Sequence, residues 1–292
     1  MTNSLINISG KLDQPTIELY RAVNEAAKSV GSAYLVVGAS ARDLLLHHGC
    51  EMTVARATAD TDFGVQVASW EQFEGIRGSL VINGFQETRM SHRLVSPEGL
   101  KIDIVPFGGI EREDSTISWP PEGAAVMNVL GFEDALNSAI EVCISENPEL
   151  RIPIASAAGL ALLKAIAWTD RSPDLRAKDA KDLLYLAHTY ERLPFVDVYA
   201  DEELLERVDF NVTYVGAYLL GKESHNISGH AACDYISKFF RGEMENRSID
   251  DLINESLESP FSEREPSELT LKAFLDGYLE SKNTDLYSED LY

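Results

Sequence analysis

Residues 34–45 have the sequence YLVVGASARDLL, and residues 60–67 have the sequence DTDFGVQV. The four apolar residues at positions 34–37 are typical of a short buried strand, and the small residues at positions 38–40 interrupt it. Residues 41–48 then predict a helix. The second stretch predicts another strand, which carries two aspartates where it starts.

The turn at positions 38–40 is suited to an anion. Backbone N–H groups at the N-terminus of a helix have no acceptor within the helix, and with the helix dipole they favour phosphate. Ser40 could add a hydroxyl group, and Arg42 a positive charge. Turns from a strand through glycine into a helix are also common without any phosphate ligand, so this turn alone does not predict a function.

The two aspartates at the start of the second strand, Asp60 and Asp62, are predicted to lie side by side. Side chains alternate between the two faces of a strand, so both carboxylates point to the same face. Two carboxylates in this position repel each other. A bound Mg²⁺ would remove the repulsion, because it prefers carboxylate oxygens and substrate phosphates. The alternative is a solvated strand entry without a ligand.

A third acid lies within an apolar strand. Residues 101–105 have the sequence KIDIV, in which alternation puts Asp103 on the face opposite Ile102 and Ile104. An acid in so apolar a strand needs a partner or an ion. If this strand neighbours the one that carries Asp60, three carboxylates converge, as a two-metal site for phosphoryl transfer requires.

The turn, the Asp-x-Asp pair and the later acid, in this order, resemble the nucleotidyltransferase superfamily of DNA polymerase beta. Within it, residues 37–45 and 60–63 are similar to the glycine turn and the acidic motif of the AbiEii-type nucleotidyltransferase toxins of bacterial toxin–antitoxin pairs. The resemblance covers roughly residues 30–190. It implies that the acids are catalytic and hold two Mg²⁺ ions, with Mn²⁺ as the other candidate. The implied metal ligands are Asp60, Asp62 and Asp103.

The same resemblance implies a nucleotide site. The family has a lysine followed by a Lys-Asp-x-x-Asp-Leu motif on a later helix, and Lys164 with residues 178–183 resembles it. These residues would lie near the nucleotide or the acceptor, and the glycine turn would bind the triphosphate. The implied nucleotide-binding residues are Gly38, Ser40, Arg42, Lys164, Asp179 and Asp182.

Some of these charged residues have ordinary structural explanations. Lys178 and Asp182 are four residues apart, so they could form an ion pair on the surface of one helix. Lys164 lies among apolar residues and could extend its amine to solvent, although the family pattern favours a cleft. Arg89 and Arg93 could line the cleft from a neighbouring hairpin.

The order of strand-like and helix-like segments predicts an α+β protein of two domains. A nucleotidyltransferase domain over residues 1–150 would contain a mixed sheet with flanking helices, and a helical domain would cover residues 151–292. Residues 148–153, which contain two prolines, are the predicted border. The turn at residues 96–99 predicts a hairpin, and residues 123–145 predict further strands and another hairpin.

Composition excludes several classes of protein. The 292 residues carry a net charge of −23, so a generic nucleic-acid-coating protein is not expected. Three widely separated cysteines without a CxxC motif predict neither a disulfide framework nor a zinc site. No apolar run is long enough to span a membrane, and the N-terminus lacks the features of a signal peptide. We therefore expect a cytoplasmic protein without a membrane partner.

The expected reaction is transfer of a nucleoside monophosphate from a nucleoside triphosphate to an acceptor hydroxyl. The resemblance implies an RNA acceptor, such as the 3′ end of tRNA, a toxin-like outcome and an antitoxin protein as partner. One alternative is a protein or a small molecule such as an aminoglycoside as acceptor, which the acidic charge favours. Another is an inactive nucleotide-binding or partner-binding module, favoured only by Ala39, where the family often has glycine. The third is a helical interaction protein whose aspartates are coincidental.

Overall fold

The computed structural model describes residues 6–52, 60–120, 123, 125–257 and 264–285. The chain divides into two compact units, Met1–Ser156 and Ala157–Tyr292. The first contains the strands, and the second is built from helices. The predicted α+β class is confirmed, because a mixed sheet with helices is followed by a helical part.

The strands of the first unit form two sheets within the described residues. The strands are β1 (Ile6–Asn7), β2 (Tyr34–Val37), β3 (Asp60–Val67), β4 (Gln86–Glu87), β5 (Arg93–Val95), β6 (Lys101–Gly108), β7 (Thr116–Ser118), β8 (Val126–Asn128), β9 (Ile140–Glu146) and β10 (Glu149–Ile154). One sheet has the order β1-β9-β10-β2-β3-β6-β5-β4, and β7 pairs with β8 in the other. Strands β3 and β6 at the centre are parallel, whereas β2 and β5 on either side of them run antiparallel.

Helices flank the large sheet. They are α1 (Gln14–Ser29), α2 (Gly38–Arg42), which continues as a π-helical segment (Asp43–Gly49), α3 (Trp70–Ile82) and α4 (Phe132–Asn137). Helix α1 starts at an Asp13 cap whose carboxylate accepts from the Thr16 N–H, as helix N-termini favour. Its Tyr20 ring packs edge-on against Phe63 of β3, so α1 covers the face of the sheet opposite the aspartates.

Two parts of the first unit differ from the sequence expectation. Residues 123–145 contain not only strands but also α4, which follows Gly131 in the left-handed conformation at φ 84°. The predicted border at residues 148–153 lies largely inside β10, where Leu150, Ile152 and Ile154 alternate into the core. The proline at position 153 is tolerated there, and the unit ends at Ser156.

The second unit is helical. Its helices are α5 (Ala157–Asp170), α6 (Pro173–Thr189), α7 (Glu202–Arg207), α8 (Val212–Ile227), α9 (His230–Phe240), α10 (Ile249–Ser256) and α11 (Arg264–Asp285), with a 3₁₀ turn at Tyr190–Arg192. Helices α8 and α11 pack at two glycines, Gly221 and Gly277. A Cβ atom at Gly221 would lie 2.9 Å from the carbonyl carbon of Phe274, so side chains at these positions would separate the helices.

Candidate active site

The three predicted acids lie on neighbouring strands of the first unit. Strands β3 and β6 are parallel, and their register sets Asp62 directly beside Asp103. Because same-register residues of paired strands share a face, and residues two apart on one strand do too, Asp60 joins them on that face. The side chains of Asp60 and Asp103 keep 30% and 15% of their accessible surface. A partly solvated cluster of three carboxylates therefore lies at the start of these strands.

The glycine turn lies directly beside this cluster. Val37 at the end of β2 pairs with Asp62 in the antiparallel register, and Gly38 follows with φ 66°, a conformation that favours glycine. A Cβ atom at Gly38 would lie 3.0 Å from Cγ of Asp62 and closer still to its Oδ2. The absence of a side chain at Gly38 thus makes room for the Asp62 carboxylate.

Arg93 of strand β5 binds two of the three acids. It pairs with Asp103 in the antiparallel register of β5 and β6. Its Nε donates to Asp103 Oδ1 at 2.7 Å, and its Nη2 donates to Asp103 Oδ2 at 2.6 Å and to Asp60 Oδ2 at 2.7 Å. The hydrogen bond to Asp103 and the charges of the surrounding acids together raise the pKa of Arg93 above its ordinary value, so the guanidinium remains charged.

The type of donor in this cluster is suited to a divalent cation, since Mg²⁺ and Mn²⁺ prefer carboxylate oxygens. The arrangement of these side chains, however, is not that of a metal site. Arg93 bridges Asp60 and Asp103, and in the part of the chain that the structure describes no three His, Cys, Asp or Glu side chains are grouped so that they could hold a metal ion. With the guanidinium in this position a cation could reach these oxygens only if Arg93 moved aside, so a metal role for Asp60, Asp62 and Asp103 remains a prediction.

The other predicted residues of the turn are engaged inside the protein. Ser40 is buried, and its hydroxyl donates to the backbone carbonyl of Asp60 at 3.1 Å, which ties the first turn of α2 to β3. Arg42 is also buried, and its guanidinium donates to Asp43 Oδ1 from Nε at 3.0 Å and from Nη2 at 2.8 Å. The side chain of Arg42 is therefore held by its neighbour, and its predicted contact with a nucleotide remains a prediction.

A cavity of about 230 Å³ adjoins the cluster within the first unit. Its walls include Tyr20 of α1, the π-helical residue His48, and Ser40, Asp60 and Lys101. Burial raises the pKa of the Tyr20 hydroxyl well above its ordinary value. The cavity thus combines apolar side chains with hydroxyl groups, acids and one lysine, and its volume is below that of most small-molecule sites.

The predicted residues Lys164, Asp179 and Asp182 lie together in the second unit. The Lys164 amine donates to Asp179 Oδ1 at 3.0 Å and lies 2.7 Å from Asp182 Oδ2, while Arg171 also pairs with Asp179. Asp179 is only 1% exposed. Burial alone would lower the pKa of Lys164, but the charges of Asp182 and Asp179 outweigh it and hold that pKa above its usual value.

This network connects two helices, which the spacing of residues within one helix does not indicate. Asp182 on α6 pairs with Lys164 on α5, so the ion pair joins two helices. The direct contact of Lys164 with both aspartates explains these charged residues by the packing of the second unit. A role for them near a nucleotide remains a prediction.

The position of Arg93 is the feature of the site that the sequence patterns did not indicate. The sequence indicates Arg89 and Arg93 only as residues that could line a cleft. The predicted hairpin of β5 and β6 could have indicated the contact, because the pairing of these two strands sets Arg93 opposite Asp103. The loop between β5 and β6 has five residues, one more than the predicted turn at residues 96–99, because β6 begins at Lys101. This loop length sets Arg93 opposite Asp103.

Comparisons with solved structures give distant similarities of fold, and three of them follow. No protein-family model matches the chain, and no curated protein matches its sequence. A crystal structure of ANT(2″)-Ia with adenylyl-2″-tobramycin is similar at TM-score 0.37 and 15% identity, over 69% of this chain and 99% of that one. The CD-NTase CdnG of Bradyrhizobium diazoefficiens with GTP is similar at 0.27 and 10%, over 92% and 86%. A CCA-adding enzyme with CTP is similar at 0.26 and 13%, over 94% and 71%.

Similarities at these TM-scores do not assign this chain to a family or an activity.

The described residues include no helix that is both long and apolar enough to cross a bilayer.

Proposed function

We propose that this protein is a nucleotidyltransferase that moves a nucleoside monophosphate from a nucleoside triphosphate to an acceptor hydroxyl. The observation that carries the proposal is the position of Asp60, Asp62 and Asp103 on one face of two parallel strands, directly beside the turn at Gly38. Acids next to a helix N-terminus combine a site for cations with one for phosphate. Neither feature predicts the reaction alone, and their adjacency supports it.

The cofactor that we propose is Mg²⁺ or Mn²⁺, because carboxylates are the donors that these ions prefer. The proposed ligands are the three aspartates. The role that we propose for Gly38 is to let the Asp62 carboxylate and the first turn of α2 approach each other closely. Ser40 would keep the turn in register with β3 through its bond to the Asp60 carbonyl. Catalysis would then rest on positioning and on charge neutralisation, as is general for phosphoryl and nucleotidyl transfer.

The acceptor that the sequence resemblance favours is an RNA 3′ end such as that of tRNA, with growth inhibition as the outcome and an antitoxin protein as partner. One observation favours a second candidate. The net charge of −23 repels a polyanion and attracts a polycation, so an acceptor such as an aminoglycoside is electrostatically suited to this chain. The two acceptors have opposite charge, so a direct competition separates them.

A transfer assay tests the proposal. The purified protein is incubated with Mg²⁺ or Mn²⁺ and with each α-labelled nucleoside triphosphate, and either total cellular RNA or a panel of aminoglycosides is added. We expect label on one acceptor class with the wild-type protein and none with the Asp60→Asn, Asp62→Asn double variant. Glu113→Gln is the matched control, since Glu113 is an exposed acid of the same unit outside the cluster. If label moves equally with the double variant, the acids do not carry the reaction.

A further inference from the structure

We propose that Arg93 competes with the divalent cation: its guanidinium pairs with Asp60 and Asp103 in the cation-free protein, and a cation binds only when Arg93 leaves. The inference rests on the proposed function, because it takes the three aspartates to be the metal ligands. It adds a regulated entry step to that site. In this proposal the three aspartates form a metal site only after Arg93 has moved away from Asp60 and Asp103.

The contacts of Arg93 show why the two cations exclude each other. Nη2 of Arg93 bridges Asp60 Oδ2 and Asp103 Oδ2, while Nε takes the remaining oxygen of Asp103. Both oxygens of Asp103 thus accept hydrogen bonds from one guanidinium. A dication on these oxygens would meet a charge of the same sign at contact distance, and repulsion of this kind is strong where solvent is partly excluded. The carboxylates therefore bind one cation or the other.

The position of Arg93 allows it to leave. Strand β5 has three residues, its outer neighbour β4 has two, and the side chain of Arg93 retains 25% of its accessible surface. A change of side-chain rotamer toward solvent breaks three hydrogen bonds without breaking the pairing of β5 with β6, which is made by the backbone. The exchange consequently needs no unfolding of the sheet.

The cation-free state also needs Arg93. Three carboxylates on one face repel one another, and the guanidinium offsets that repulsion as a metal would. Removal of Arg93 should therefore have two linked effects. The cation-free protein loses stability, and the vacated carboxylates bind a divalent cation more tightly. A residue with a purely structural role would produce the first effect without the second.

The test measures Mn²⁺ binding directly, by electron paramagnetic resonance of free Mn²⁺ and by the rise in melting temperature on addition of Mn²⁺, in the absence of nucleotide. For Arg93→Gln we expect an affinity on the order of tenfold higher than that of the wild type and a larger rise in melting temperature. Arg112→Gln removes an exposed arginine of the same unit outside the cluster and should leave both quantities unchanged. Arg93→Lys keeps the charge but cannot bridge both acids in the same way, so its Mn²⁺ affinity should lie between those of the wild type and Arg93→Gln.

The outcomes separate this inference from the proposed function. Equal or weaker Mn²⁺ binding by Arg93→Gln, with binding still abolished in the Asp60→Asn, Asp62→Asn variant, overturns the competition and leaves the metal site standing. No Mn²⁺ binding by any variant overturns both. If Arg93→Gln does not fold without Mn²⁺, Arg93→Lys decides the question, and an affinity for Mn²⁺ no higher than that of the wild type overturns the inference.

Discussion

Gly38 and Asp62 occupy adjoining space: a Cβ atom on the glycine would lie 3.0 Å from Cγ of the aspartate. Two strands produce this contact, because the antiparallel register of β2 and β3 sets the residue before Gly38 opposite Asp62. The turn and the acidic motif, 24 positions apart by their numbers in the chain, are therefore one structural feature. Substitutions in either should affect the other.

The first prediction concerns Gly38→Ala. An alanine at φ 66° costs about 1 kcal/mol, and at this position its methyl group also meets the Asp62 carboxylate. We expect a loss of at least about 2 kcal/mol in the free energy of unfolding, with a loss of Mn²⁺ binding, measured by urea denaturation and by Mn²⁺ titration. Gly31→Ala is the matched control, since Gly31 has φ 68° and open space around its Cβ position. Equal losses in the two variants would contradict the contact with Asp62.

The second prediction concerns the buried ion network of the helical unit. Lys164→Met leaves the carboxylate of Asp179 buried with one cationic partner fewer, so the free energy of unfolding should fall by about 3 kcal/mol. Lys238→Met removes an exposed lysine from α9 of the same unit and should change it by less than about 0.5 kcal/mol. Both values come from chemical denaturation. A stable Lys164→Met protein that has lost only nucleotide binding would instead support the cleft role.

The third prediction concerns the pH dependence of stability at His48. Burial, and then the neighbouring His47, lower the pKa of His48 below its ordinary value of 6.5. As the pH falls, the unfolded chain takes up this proton first, so the contribution of His48 to stability is present above pH 6.5 and is lost as the pH falls through the folded pKa. His48→Gln should lose less stability than the wild type between pH 7 and pH 5 in denaturation curves, by a small margin because the side chain is partly exposed. A wild-type curve parallel to that of His48→Gln would contradict the lowered pKa.

The fourth prediction concerns the packing of α8 on α11. A methyl group at Gly221 would meet the backbone of Phe274 and lie 2.9 Å from the amide nitrogen of Tyr278, so Gly221→Ala should push the helices apart. We expect a loss of at least about 3 kcal/mol in the free energy of unfolding. Gly78→Ala places the same change in the exposed interior of α3, with nothing near its Cβ position, and should raise the free energy of unfolding by about 0.5–1 kcal/mol. A tolerated Gly221→Ala would show that α8 and α11 can shift.

These contacts also explain how far the sequence predicts the fold. Strands β2, β3 and β6 follow from short apolar runs, and the sharing of one face by Asp60 and Asp62 follows from the two-residue period of a strand. Helix α8 does not follow from its sequence, because Gly216 and Gly221 lower its helix propensity. Gly216 lies against Glu191, and Gly221 lies against Phe274 of α11. Contacts between residues so far apart in the chain are not visible in a local sequence pattern.

The same holds for the candidate site. The three carboxylates converge only if β3 and β6 are neighbours in the sheet. Local sequence patterns do not determine the order of strands in a sheet. The bridge from Arg93 to Asp103 depends on whether the hairpin loop has four residues or five, since a shift of one residue would turn Arg93 to the opposite face. Turn length is less strongly encoded than strand identity, so the acids could be proposed from sequence and their partner could not.

The central claim is best tested by the fate of the α- and γ-phosphates of the nucleoside triphosphate. Parallel reactions contain the purified protein, Mn²⁺, the acceptor and a triphosphate labelled at one or the other position. The account predicts that the α-label moves to the acceptor, that the γ-label leaves in pyrophosphate, and that both events disappear in the Asp60→Asn, Asp62→Asn variant. Movement of the γ-label to the acceptor, or unchanged transfer by the double variant, would contradict it.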